Sequence, residues 1–252
     1  YEANIDKKRA ATVISFHALG WLAGIAAAGI TNDLKLIFLI SAAAFIIGLL
    51  FTIKLPNPVQ EKELKPGTTR NVIAKNKFLF LSLLLRHIGA AAVWVILPIM
   101  IMEKWGGDLY HISVVYVANT LTAFILMNVM ASKIHLSNIT KFKIGIGATT
   151  FVFVGLAFVT DWWMAMPFMS LVGATWAFLF IGGNFHLMEN NPRSTSTGIF
   201  SSTLSIATVI GPIVGGTIAF LFDYVAVLYF AVAIIVCAFV VSLKIENKKI
   251  LS

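Results

Sequence analysis

Eight apolar runs, at residues 10–31, 36–53, 78–102, 112–132, 144–159, 164–188, 197–222 and 225–243, leave this chain few ways to fold. Each is close to the roughly 20 residues that cross a hydrocarbon layer about 30 Å thick as a helix. In lipid every backbone N–H and C=O must find its partner inside the structure, which leaves helices and closed β-barrels. A barrel strand shows about ten residues of alternating polarity, and the runs do not alternate. They predict an all-α, polytopic membrane protein with eight transmembrane helices. Composition agrees. Of the 252 residues 59% are hydrophobic and 12% charged, against about 25% charged in soluble domains.

The net charge of +8 is a matter of topology. Every Lys and Arg except Lys35, Lys104 and Arg86 lies at an end of the segment or in alternate connections between runs. The positive-inside bias therefore assigns both ends, and the connection 56–76, to the cytoplasmic side of the cell membrane. A charge distributed in this way is not a nucleic-acid footprint. The opening YEANIDKK has no signal-peptide pattern. It reads as a loop entered mid-protein, so residues before Tyr1 are expected. Lone Cys237 lies in an apolar run and reads as a small buried thiol, without a disulfide framework or thiolate metal site. No HExxH, phosphate-binding loop or nucleophile motif occurs, so neither catalysis nor a metal is expected.

Connection 56–76 is rich in Pro and charge and divides the chain. Residues 1–55 read as two helices of one bundle, 56–76 as a cytoplasmic linker with room for a short surface helix, and 77–252 as a six-helix bundle. A weak repeat relates the two parts. Residues 11–30 lie on 198–217 at a constant offset, with Ser15 on Ser202, Gly24 on Gly211 and Gly29 on Gly216. Six runs separate the copies, so they point the same way. Parallel halves of six helices are a transporter architecture.

The residues Pro192-Arg193, then Gly198-Ile-Phe-Ser-Ser, then Gly211-Pro212-Ile-Val-Gly215-Gly216 resemble the eleventh helix of the major facilitator superfamily (MFS). Gly20-Trp-Leu-Ala-Gly24 is a weaker counterpart, without the proline that many drug antiporters carry there. The chain is thus similar to the C-terminal two-thirds of such a transporter, helices 5–12 of the family's twelve, with the first four absent. The family's signature loop would fall at 131–143, where Lys133, Lys141 and Lys143 occur without its aspartate. The resemblance implies that the second, fifth and eighth runs are peripheral. Those three contain no His, Asn, Gln or charge. It further implies a secondary active carrier that moves a small solute by alternating access, acts as a monomer in the lipid bilayer and needs no cofactor beyond a coupling ion such as H+. A non-transporting membrane sensor or assembly factor is the alternative.

Candidate site residues follow from depth and helical spacing. Arg86 lies nine residues past Lys77, roughly 14 Å deeper at 1.5 Å per residue. It either faces a cavity, where it would pair with a solute carboxylate or phosphate, or snorkels to the interface. The depth favours the cavity, and with it an anionic or zwitterionic solute. His87 either titrates near neutral pH or holds a neighbouring helix by a hydrogen bond. Trp94, two turns on, is an aromatic wall or a packing residue, and Pro98 should kink the helix. Tyr116 and Asn119 share one stripe, Trp176 and Asn184 another. An asparagine in such a helix binds ligand or bridges helices. His17 is the strongest polar candidate of the first run. No Asp or Glu lies deep in any run. Gly20, Gly24, Gly211, Pro212, Gly215 and Gly216 form a helix-packing motif that should let helices approach closely.

Overall fold

The computed structural model describes residues 7–31, 33–54 and 68–246. Among these residues nine α-helices run in order: α1 (Lys7–Thr31), α2 (Leu34–Ile53), α3 (Thr68–Lys75), α4 (Lys77–Glu103), α5 (Leu109–Ser132), α6 (Asn138–Leu156), α7 (Ala165–Asn190), α8 (Arg193–Leu221) and α9 (Tyr224–Leu243). A 3-10 turn, Trp162–Met164, leads into α7. All except α3 are long and apolar enough to cross a membrane, so each of the eight runs is a helix. The short α3 occupies the described part of connection 56–76 and buries Val72; the stretch 55–67 lies outside the described residues.

The helices extend past the apolar runs where polar side chains satisfy the terminal backbone groups. Hydropathy starts α6 at residue 144, six residues late. Ser137 caps that helix by accepting the Thr140 N–H at 3.2 Å. The two lysines that depress the local hydropathy are also accommodated: Lys141 donates to the Met130 carbonyl at 3.4 Å, and Lys143 to the Ile245 carbonyl at 2.8 Å. At the opposite end of the bundle, Asp33, Asp108 and Asp223 are N-caps of α2, α5 and α9. Their carboxylates accept the N–H groups of Lys35 at 2.8 Å, His111 at 3.0 Å and Ala226 at 2.6 Å. A carboxylate there meets orphan donors and the positive end of the helix dipole. The three aspartates in these short connections are therefore helix caps.

Of the candidate spans described, that of α4 is the most buried. It lies against α8 and α9, while α7 is held between α5 and α6, and α1 packs along α5. Leu83, Ala90, Ala92, Val93 and Leu97 of α4 are completely enclosed. By contrast no residue in the apolar span of α2 is buried. Its Phe38, Phe45 and Phe51 point outward, as suits a helix bathed in lipid. Cys237, expected to be buried, is exposed on α9.

Small residues set the seams between helices. A methyl group at Gly211 would come 2.5 Å from the Ala91 Cβ and 2.8 Å from the Ile88 carbonyl, and one at Gly215 2.7 Å from the Ala92 carbonyl. Glycine is therefore what allows α8 to lie on α4. Gly173 packs hard against the Asn119 carbonyl, and Gly29 against Ser113. Gly20, Gly24 and Gly216 depart from the expected pattern: a methyl there would meet nothing within 4 Å among the described residues. Pro212, inside α8, is half-buried.

Candidate functional site

Arg86 is 1% exposed, so its guanidinium does not snorkel to an interface. The side chain runs into the bundle between α4, α6 and α7. Its Nη2 donates to the Thr149 hydroxyl at 3.3 Å, and that hydroxyl in turn donates to the Gly145 carbonyl at 2.6 Å. The guanidinium carbon lies 5.5 Å from the Trp176 ring centroid, a cation–π contact. Nε has no partner among the described residues. A guanidinium offers five N–H donors. One hydroxyl and one ring face leave most of that capacity unused at a depth where a bare charge is costly.

His87 shares the same indole. Its ring stacks on Trp176 with centroids 5.5 Å apart and planes 30° apart. Its Nδ1 is enclosed and has no partner among the described residues. Trp176 continues to Phe180 at 5.0 Å and Phe180 to Phe200 at 5.5 Å, edge to face. One cationic group and one imidazole thus sit at the head of an aromatic series that crosses from α4 through α7 to α8. A site built this way can bind an anionic group through Nε and Nη and hold an apolar or aromatic body against the rings. Among the described residues no cluster of three His, Cys, Asp or Glu could hold a metal ion.

The other sequence candidates fall elsewhere. Trp94 and Tyr116 form their own pair, ring centroids 5.9 Å apart. Tyr116 donates its hydroxyl to the Trp94 carbonyl at 3.2 Å. That bond has a local cause: Pro98 lies four residues on and has no N–H to offer, so the carbonyl needs a donor from outside α4. Asn184 is buried but turns back on its own helix, donating to the Phe180 carbonyl at 3.1 Å. Asn119 is half-buried with its backbone under Gly173. His17 is exposed on α1, beside an exposed Trp21 at 6.1 Å, and does not join the Arg86 cluster.

Sequence reasoning missed Thr149 and Phe200. Thr149 belongs to the fifth run, which looked featureless because only His, Asn, Gln and charges were weighed. The Thr149-Thr150 pair four residues after Gly145 was the available signal, since a buried hydroxyl can serve both its own helix and a neighbour. Phe200 sits in an apolar run, where nothing sets it apart. Outside the spans, Asp108 has its carboxyl held below the usual range, chiefly by the His111 N–H and then by the His111 ring, with desolvation opposing. The ring Nδ1 lies 3.2 Å from the Asp108 N–H and 2.8 Å from its carboxylate. A neutral ring accepts the first; a protonated one donates to the second.

No family model matches this sequence, and no curated protein does either. Solved structures do match. The chain superposes on the crystal structure of a Major Facilitator Superfamily transporter, FucP, in the outward conformation, with a TM-score of 0.57 and 12% sequence identity. The match covers 84% of this chain and 54% of that one, so this chain spans about half the transporter's length. The chain has a major facilitator transporter-like fold.

Proposed function

We propose that this chain forms most of a secondary active transporter, moving a small solute, by uptake or efflux, through alternating access at a site near the membrane midplane. The observation that carries the reading is the enclosed Arg86 charge, with Nε unpartnered among the described residues and Trp176 beneath it. A solute carboxylate or phosphate supplies the missing acceptor in a fork geometry that arginine matches. His87 and the Trp176–Phe180–Phe200 series hold the rest of the solute. The solute class is therefore anionic or zwitterionic with an apolar or aromatic part.

The arrangement we propose has two bundles in the cell membrane: residues 1–55 end the first, 56–76 link them on the cytoplasmic side, and 77–252 make the second. The repeat supports it. Among the described residues, Gly211 of α8 meets α4 and Gly216 meets nothing within 4 Å, while in α1 the matching Gly24 meets nothing within 4 Å and Gly29 meets Ser113 of α5. The two copies are complementary. If a parallel two-fold axis relates the halves, four spans upstream of α1 supply the helices that cover Gly24 and Gly216.

Arg86→Ala, made in the complete protein and reconstituted in liposomes, tests the reading. Solute flux should fall to background while expression and the melting midpoint stay near the parent values. Arg86→Lys, which keeps the charge without the fork, should recover only a small part. Undiminished flux in Arg86→Ala would make the arginine a packing residue and remove the main support. A chain that never shows flux but signals through a partner would favour the sensor alternative.

A further inference from the structure

A second polar feature lies one third of the way along α4 from Arg86, at its N-terminal end. A cavity of about 320 Å³ opens where the start of α4 meets the ends of α7 and α9, lined among others by Lys75, Lys77, His186, Asn190, Lys244 and Glu246. Three ammonium groups face one carboxylate. Lys75 is engaged, donating to the Asn190 carbonyl at 2.9 Å. Lys77 and Lys244 have no carboxylate within ion-pair distance among the described residues. Instead their ammonium nitrogens lie 5.1 and 5.7 Å from the centroid of one ring, Phe78. Each gains a modest cation–π attraction there, but two like charges drawn to one ring repel. Both side chains are exposed and so are free to turn towards an anion in the cavity.

The backbone adds to the same potential. Asn76 precedes α4, yet its side chain makes no cap. Its amide instead donates to the Val72 carbonyl at 2.8 Å. Asn76 thus supplies no side-chain acceptor at the start of α4 beside the two lysines, while its carbonyl accepts the Leu79 and Phe80 N–H groups. We infer that this cavity binds a phosphate-bearing anion, clasped by Lys77 and Lys244 over Phe78 with Lys75 alongside. Free phosphate esters and the anionic lipids of the adjacent leaflet share that chemistry. The orientation proposed above puts the cavity at the cytoplasmic interface, where basic pockets between spans meet lipid head groups. This site is separate from Arg86 and stands whether or not the chain transports.

The test measures binding, not flux. The complete protein is placed in phosphatidylcholine nanodiscs, and its melting midpoint is followed in two arms, one titrated with inorganic phosphate and one doped with phosphatidylglycerol. At least one arm should raise the midpoint saturably. A rise with both identifies a soluble phosphate as sufficient; a rise with phosphatidylglycerol alone identifies the lipid. The paired variant Lys77→Gln/Lys244→Gln should bind roughly 30-fold more weakly, while Lys77→Arg/Lys244→Arg and the distant Lys104→Gln should bind as the parent does. The single Lys77→Gln and Lys244→Gln changes, each expected to weaken binding about fivefold, serve if the pair fails to fold. No saturable rise in either arm, or equal binding by the parent and the glutamine variants, would overturn the assignment.

Discussion

Replacing Gly211 with alanine should weaken the fold by an amount that the α4–α8 seam sets. The added methyl would stand 2.5 Å from the Ala91 Cβ, 2.8 Å from the Ile88 carbonyl oxygen and 2.9 Å from the Ala92 amide nitrogen. Ordinary contact is about 3.5–4.0 Å, so α8 must retreat by roughly 1 Å. Two of the three obstacles are α4 backbone, which no rotamer change moves. A gap of that size forfeits about a quarter to a half of the dispersion attraction for each atom pair it opens, and overpacking of this kind costs about 1–3 kcal/mol. Alanine also gains up to about 1 kcal/mol of helix propensity over glycine. Gly216→Ala, five residues on in the same helix, gains that term with nothing within 4 Å to oppose it among the described residues. The difference between the two variants isolates the clash at about 2 kcal/mol, roughly 30-fold in the folding equilibrium. Reversible unfolding in mixed dodecyl sulfate–detergent micelles, followed by far-ultraviolet circular dichroism, measures it. Equal stability of Gly211→Ala and Gly216→Ala would refute the close approach of α8 to α4.

Two other predictions rest on single contacts. Tyr116→Phe removes the donor to the Trp94 carbonyl and should cost about 0.6–2 kcal/mol; in a Pro98→Ala background, where the backbone N–H is restored, the cost should fall towards zero, and a purely additive double-mutant cycle would remove the link between the proline and the tyrosine. Asp108 has a carboxyl held below its ordinary value of 3.8 in the folded chain, so the stability it contributes is present above that value and is lost as pH falls through the depressed one. Melting midpoints of the parent and Asp108→Ala should therefore converge in strong acid, and a constant gap between them at every pH would contradict the cap.

Much of the architecture was determined by the sequence alone, because lipid makes it a local problem. A backbone that must satisfy its own hydrogen bonds across some 20 apolar residues has to be helical, so eight runs became eight spanning helices. The depth of Arg86 needed only a count of residues from Lys77, and it separated this side chain from every other cation. Tertiary structure decided which face of each helix meets which neighbour. In water an amphipathic stripe records that choice, but between helix and lipid both sides are apolar and the stripe disappears. Matched glycines therefore behave differently: Gly211 is pressed against α4 while Gly24 has nothing near it among the described residues. The same loss of signal hid Thr149, whose hydroxyl on a helix read as featureless is the hydrogen-bond partner of Arg86. It also hid the use of Tyr116, which resembled a solute ligand on its stripe and is committed to a carbonyl that Pro98 left without a donor. Directional polar contacts between helices are fixed by rotation and register, and in a membrane the sequence does not encode either in its hydrophobic pattern.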